Sequence, residues 1–209
     1  MLALRRHLPL RLLPRAIAAL LLAMLLGTAA PEVTDSGSLA GQLLIAAPTI
    51  GDPRFYHAVI LMIRDDKSGA LGIIINRPVG ERSIESLLKA TGATGVGVEG
   101  KLRVFAGGPV EPQLGFVVHT ADYRLADTLA IDGRVAMTAS PQILQDIGHH
   151  HGPKESLFAF GYAGWGPGQL ANEMARHDWF TAPEEPKLVF DDDRAGLWNE
   201  AMARRTREL

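Results

Sequence analysis

A chain of 209 residues with 47% hydrophobic and 21% charged side chains can bury one good core, and with no cysteine it excludes disulfides, thiolate catalysis and cysteine-ligated metals. Of its 21 basic side chains, Arg5, Arg6, Arg11 and Arg15 lie in an acid-free stretch 1–30, leaving 17 bases against all 23 acids in residues 31–209, a net of −6. Such an acidic body disfavours direct nucleic-acid binding, because phosphate neutralisation needs a clustered positive face.

Residues 1–30 read as an Arg-bearing n-region, an apolar run from Ala16 to Leu26 and a small-residue exit at Gly27 and Ala29. That is the form of a secretory signal. The run is shorter than the roughly 20 residues a spanning helix needs, so no stable membrane span is expected. A transit sequence fits the same residues, as does a start codon set too far upstream, with Met24 as a later start. If residues 1–30 are a genuine leader, the protein is exported or anchored at its N-terminus. Residues 31–38 are small and polar, a linker, and the folded domain is expected over 39–209.

"GQLLIAA" (41–47) predicts an apolar strand closed by Pro48, and "HAVILMIR" (57–64) and "ALGIIIN" (70–76) predict two more around the turn "DDKSG". Their unbroken apolarity suggests a sheet covered on both faces. Ser83 is placed to cap a helix through Ala90. The glycine-rich loop 91–100 lacks the Lys-Ser/Thr ending of a phosphate loop. "KLRVFAGGPV" and "GFVVHT" predict strands joined through Gly107-Gly108-Pro109, and Asp132-Gly133 a hairpin. Ser140-Pro141 starts a helix ending at Gly148 or Gly152. A buried strand "SLFAFGYA" is expected to end at Phe160 or Gly161, with a loop to Gly168 and a helix from Gln169. "KLVF" (187–190) predicts a short strand, and a last helix is expected from about Asp193. About seven strands, mostly hairpin-linked, with four to five flanking helices predict an α+β fold. The chain is expected to form a single compact domain around a mixed sheet.

"LLIAAPTIGDPRFYHAVILM", "GALGIIINRP", "GGPVEPQLGFVVH", "TASPQIL" and "GYAGWGPGQLANEMARHDWF" occur in this order and spacing. Over Ser38 to the C-terminus the chain resembles the YqgE/AlgH family, bacterial proteins often labelled transcriptional regulators. The resemblance implies a compact α+β domain and a cytoplasmic protein. The chain departs from the family pattern at Ala47, where methionine commonly precedes the proline, and in its leader.

Candidate site residues are Asp52, Asn76, Arg77, Gly107, Gly108, Tyr162, Trp165 and Gln169, polar or open-backbone positions within those motifs at strand ends and loops. Arg77 can fork onto a carboxylate or phosphate, or form a salt bridge to Asp52 or another loop acid. Asn76 closes a turn more readily than it binds substrate. Gly107-Gly108 suits an anion nest or a plain turn. Tyr162 and Trp165 can wall a pocket, with amides at the following helix start free for an anion or carbonyl oxygen. The expected pocket lies between the Tyr162–Trp165 loop, the Asn76-Arg77-Pro78 turn and the Gly107-Gly108-Pro109 turn.

No catalytic set, metal site or cofactor is read from the chain. His149, His150 and His151 diverge by about 100° per residue on a helix, which suits no single ion. Asp191–Asp193 fit an acidic helix start, and His119 a core histidine. The expected function is regulation through an unidentified small ligand or protein partner rather than catalysis. The alternative is a hydrolase or transferase using Asp52, His119 or the histidine triplet.

Overall fold

The computed structural model describes residues 37–206. The expectations for the leader, and for the linker up to residue 36, lie outside the described residues. Strand β1 (Gln42–Ala46) passes through a single 3-10 turn at Pro53–Phe55 into β2 (Val59–Asp66), which hairpins into β3 (Gly69–Ile74). Next come β4 (Pro78–Ser83), helix α1 (Ile84–Ala90), β5 (Lys101–Ala106) and β6 (Val110–Thr120). The short hairpin β7 (Leu129–Ala130) and β8 (Val135–Thr138) leads to α2 (Gln142–Gly148) and the long β9 (Ser156–Trp165). The chain then runs through α3 (Gln169–Ala175), β10 (Trp179–Pro183), α4 (Pro186–Phe190) and α5 (Leu197–Ala203).

These strands make one curled α+β sheet in the order β10-β1-β2-β3-β9-β6-β8-β7, with β5 also on β9 and β4 outside β5. Every pairing is antiparallel except β5 with β9. Strand periodicity sorts the unbroken apolar runs onto two faces. Leu43, Ile45, Val59, Leu61, Ile73 and Ile75 point inside the curl, where Leu188, Val189, Leu197 and Ala201 from α4 and α5 complete the core. Leu44, Ile60, Met62 and Ile74 point outward under Leu170 of α3, Trp165 and Trp179. Farther along the sheet, α1 and α2 cover Val104, Val117 and Phe158. The sheet is thus covered on both faces, as the apolar runs imply.

Ser83 accepts the Ser86 N–H (3.2 Å) at the start of α1, as expected of a cap. Three expectations are corrected. Residues 162–165 are strand: Gly161, at φ 71°, bends β9 so that its first half pairs with β5 and β6 while Ala163 and Trp165 pair with Gly72 and Ala70 of β3. The loop before α3 is only Gly166-Pro167-Gly168. "KLVF" lies in a helix rather than a strand, because Pro186 starts a helical turn that buries Leu188 and Val189. The last helix begins at Leu197 rather than Asp193, since Asp193 Oδ1 accepts the Ala195 and Gly196 amides (both 3.1 Å) and holds a turn. β5 and β6 are joined through Gly107-Gly108-Pro109 as expected, and β9 runs between them in the sheet. No helix among the described residues is long and apolar enough to cross a membrane.

Candidate functional site

A cleft of about 440 Å³ opens where the end of β9, helix α3 and the start of β10 meet the loop 50–55. Its aromatic side is Phe55, Trp165 and Trp179: Phe55 stacks on Trp165 at 6.5 Å and meets Trp179 edge-on at 5.4 Å. Pro109 and Val110 add apolar lining beside the end of β9, and Asp52, Arg54, Gln169, Glu173, Arg176 and Asp178 the polar surface.

The polar groups are arranged from the backbone outward. Gln169 and Glu173 stand one turn apart on the same face of α3. Gln169 Nε2 donates to Glu173 Oε1 (2.9 Å), and Gln169 Oε1 accepts the Gly166 amide (3.1 Å). Glu173 Oε2 accepts both indole N–H groups, from Trp165 (2.9 Å) and Trp179 (2.8 Å). One carboxylate therefore fixes two tryptophans from different strands. Desolvation pushes the Glu173 carboxyl upward, but the bonds from Gln169, Trp179 and Trp165 together outweigh it and hold its pKa below the ordinary value. At the rim, Arg54 forks onto Asp52 (2.6 Å at the closest) and Arg176 onto Asp178 (2.8 Å). The hydrogen bond to Arg54 is the main reason the Asp52 carboxyl also lies below its ordinary value.

Of the eight sequence candidates, the structure brings Asp52, Trp165 and Gln169 together in this cleft and leaves five outside its lining. Asn76 closes a turn: its Oδ1 accepts the Val59 amide (2.9 Å) and its Nδ2 donates to the His57 carbonyl (2.8 Å). Arg77 donates to the carbonyls of Arg54 and Tyr56 and makes no salt bridge to Asp52, which is occupied by Arg54. Asn76 and Arg77 hold from behind the loop that carries Asp52, Arg54 and Phe55 into the cleft. Gly107 and Gly108 form a close backbone crossing, with the Gly107 amide on the Phe160 carbonyl (2.8 Å) and its carbonyl on the Ile74 amide (2.8 Å). A Cβ on Gly108 would stand 2.0 Å from the Tyr162 carbonyl carbon, so the crossing demands glycine. Tyr162 packs edge-on against Phe116 at 6.2 Å.

Of the residues named for the rival chemistry, Asp52 lines the cleft, while His119 and the histidine triplet lie outside it. His119 is fully buried and its pKa is lowered by desolvation. Its Nδ1 lies 2.9 Å from the Thr120 carbonyl, which can only accept, so Nδ1 carries the proton. Nε2 then accepts from Thr138 Oγ1 (2.9 Å). His149 follows α2 directly, and His150 takes a left-handed turn at φ 61°. Asp192 pairs with Arg103 (2.7 Å).

Sequence reasoning missed Glu173, Trp179, Arg54, Phe55, Arg176 and Asp178 as site residues. The signal was present: Gln169 and Glu173 share a helix face, and both tryptophans fall within the segment "GYAGWGPGQLANEMARHDWF".

Comparison with known proteins agrees with this architecture. The AlgH-like family profile matches residues 43–209. A UPF0301 protein of Jannaschia sp. (strain CCS1) is 44% identical over 176 residues, covering 83% of this chain and 91% of the relative. The solution structure of the AlgH protein from Pseudomonas aeruginosa superposes with a TM-score of 0.70 at 32% identity, over 83% of this chain and 92% of that one. The crystal structure of protein DIP2367 from Corynebacterium diphtheriae shares the fold, with a TM-score of 0.63 at 23% identity, over 79% of this chain and 86% of that one.

Proposed function

The chain belongs to the AlgH-like family, and from that premise we propose that it is a non-catalytic regulatory domain that binds a small ligand in the Trp165–Trp179 cleft. Regulation would act through ligand or protein binding rather than direct DNA contact, in keeping with the net −6 of residues 31–209.

The observation that carries this reading is the state of the cleft's polar groups. Its volume of about 440 Å³ lies within the range of small-molecule sites. Asp52 and Asp178 are ion-paired, and Glu173 is committed to three N–H donors that favour its ionised form. A general acid or base works best with a pKa near the operating pH. The Asp52 and Glu173 carboxyls are held below their ordinary values instead, as fixed surfaces against which a ligand is held. A hydrolase or transferase would need a titrating group here, and neither His119 nor the histidine triplet lines the cleft.

Gly51 provides the test. It lines the cleft, and a Cβ built on it meets nothing within 4 Å, so Gly51→Phe adds bulk at the cleft mouth without a steric clash. Mass spectrometry of small molecules released from freshly purified protein should find a species held by the wild type and lost from Gly51→Phe. Identical release from both proteins, with the variant folded, would overturn the cleft as the binding site.

A further inference from the structure

The charges around the cleft do not cancel evenly. Asp52, Glu173 and Asp178 face Arg54 and Arg176, an excess of one negative charge. Both arginines are already matched, Arg54 by Asp52 and Arg176 by Asp178, in exposed pairs on the rim. Glu173 has no ion pair among the described residues. Its Oε2 accepts two indole N–H groups, whereas its Oε1 accepts one amide and keeps room for a second donor. This carboxylate is helped by the nearby charge of Arg176 but is in no ion pair. It sits beside the half-buried ring of Phe55, over which the Arg54 guanidinium lies at 5.9 Å, and against the buried indoles of Trp165 and Trp179. A partly exposed ring that already takes a guanidinium, next to an ionised carboxylate, is the chemistry that recognises organic cations, through the Phe55 ring on one side and a charge-assisted hydrogen bond on the other.

Resting on the reading of this cleft as a ligand site, we propose that its ligand is a small organic ammonium ion with an aromatic or apolar stem, its N–H directed at Glu173 Oε1. The stem lies along Phe55, Pro109 and Val110. An anionic ligand would have to displace Asp52 or Asp178 from its arginine and lie against Glu173. A neutral ligand would leave the excess charge unmatched.

Three probes of nearly equal shape separate these classes: benzylammonium, benzyl alcohol and benzoate, titrated into the full chain and followed by tryptophan fluorescence and calorimetry. Benzylammonium is expected to bind saturably, at least tenfold more tightly than benzoate. Glu173→Gln should weaken benzylammonium about tenfold, the worth of a hydrogen bond to a charged group, and leave benzyl alcohol little changed. If Glu173→Gln does not fold, the exposed rim variant Arg176→Gln carries the test. By removing a cation and freeing Asp178, it should tighten benzylammonium about threefold and weaken benzoate. Benzoate binding as tightly as benzylammonium, or no saturable benzylammonium signal at millimolar concentration, overturns the ammonium assignment. Either result leaves the cleft itself to be judged by ligand release from Gly51→Phe, so the two failures are distinguishable.

Discussion

Two glutamates stand at opposite ends of β10, and the fold treats them in opposite ways. Glu173, beside Trp179 at the start of the strand, receives three N–H donors and stays ionised with a lowered pKa. Glu184, just past Pro183 at the end, is buried, and neither carboxyl oxygen makes a well-formed hydrogen bond, although Arg134 Nη2 lies 2.8 Å from Oε2. Desolvation, then the neighbouring Asp132, pushes its pKa up to about 8. The difference lies in the donors each is offered, because burial opposes the charged form of both. A carboxylate surrounded by N–H groups becomes a fixed anion at a cleft, and one set against another carboxylate becomes a proton-binding group inside the fold.

The largest effect expected from this contrast is on pH dependence. The folded Glu184 binds a proton more tightly than the unfolded one, so its stabilising contribution is full below about pH 4.5 and is lost as pH rises towards 8. Unfolding free energy, measured by urea titration at a series of pH values, should fall over that window by on the order of 3 kcal/mol in total. Glu184→Gln should flatten the curve, and Asp132→Asn should move the fall to lower pH by removing the neighbouring anion. A wild-type curve that is flat or rising from pH 5 to 8 would break the contrast at this end.

At the other end, Glu173→Leu leaves two indole N–H groups and the Gln169 amide without their acceptor. The expected cost is about 2 kcal/mol, read from the urea midpoint at pH 7. Trp179→Phe removes one of those donors together with its bond and should cost about 1 kcal/mol in the same assay. Arg176→Gln breaks only an exposed rim pair and should change stability by less than about 0.5 kcal/mol. If Arg176→Gln costs more than Glu173→Leu, the rim rather than the Glu173 carboxylate organises the corner.

The fold was more legible in the sequence than the site. Apolar runs at 41–47, 57–64 and 70–76 point to a sheet buried on both faces, and the Ser83 cap and the Asp132-Gly133 hairpin are local signals. The path of β9 was not legible, because Gly161 serves equally well as a strand end or as a bend between two sets of partners. At the site, glycines and a cation drew attention to Gly107, Gly108 and Arg77, whose work is backbone crossing and loop support. The group that joins the two tryptophans was overlooked because a lone glutamate on a helix usually faces water. Its role exists only once β9 and β10 bring Trp165 and Trp179 to the same carboxylate, a convergence that periodicity within one segment cannot express.

The central claim is that Trp165, Trp179 and Glu173 form one preorganised wall of a ligand site, and the third tryptophan provides the control. Trp198 donates its Nε1–H to the Ala46 carbonyl (2.9 Å) and does not line the cleft. The most direct measurement is the indole Nε1–H region of a nitrogen-15 correlation spectrum during titration with benzylammonium. The expected result is that the Trp165 and Trp179 resonances move together and saturate at one concentration while Trp198 stays fixed. Movement of Trp198 alone, or three resonances that never shift, would contradict the account.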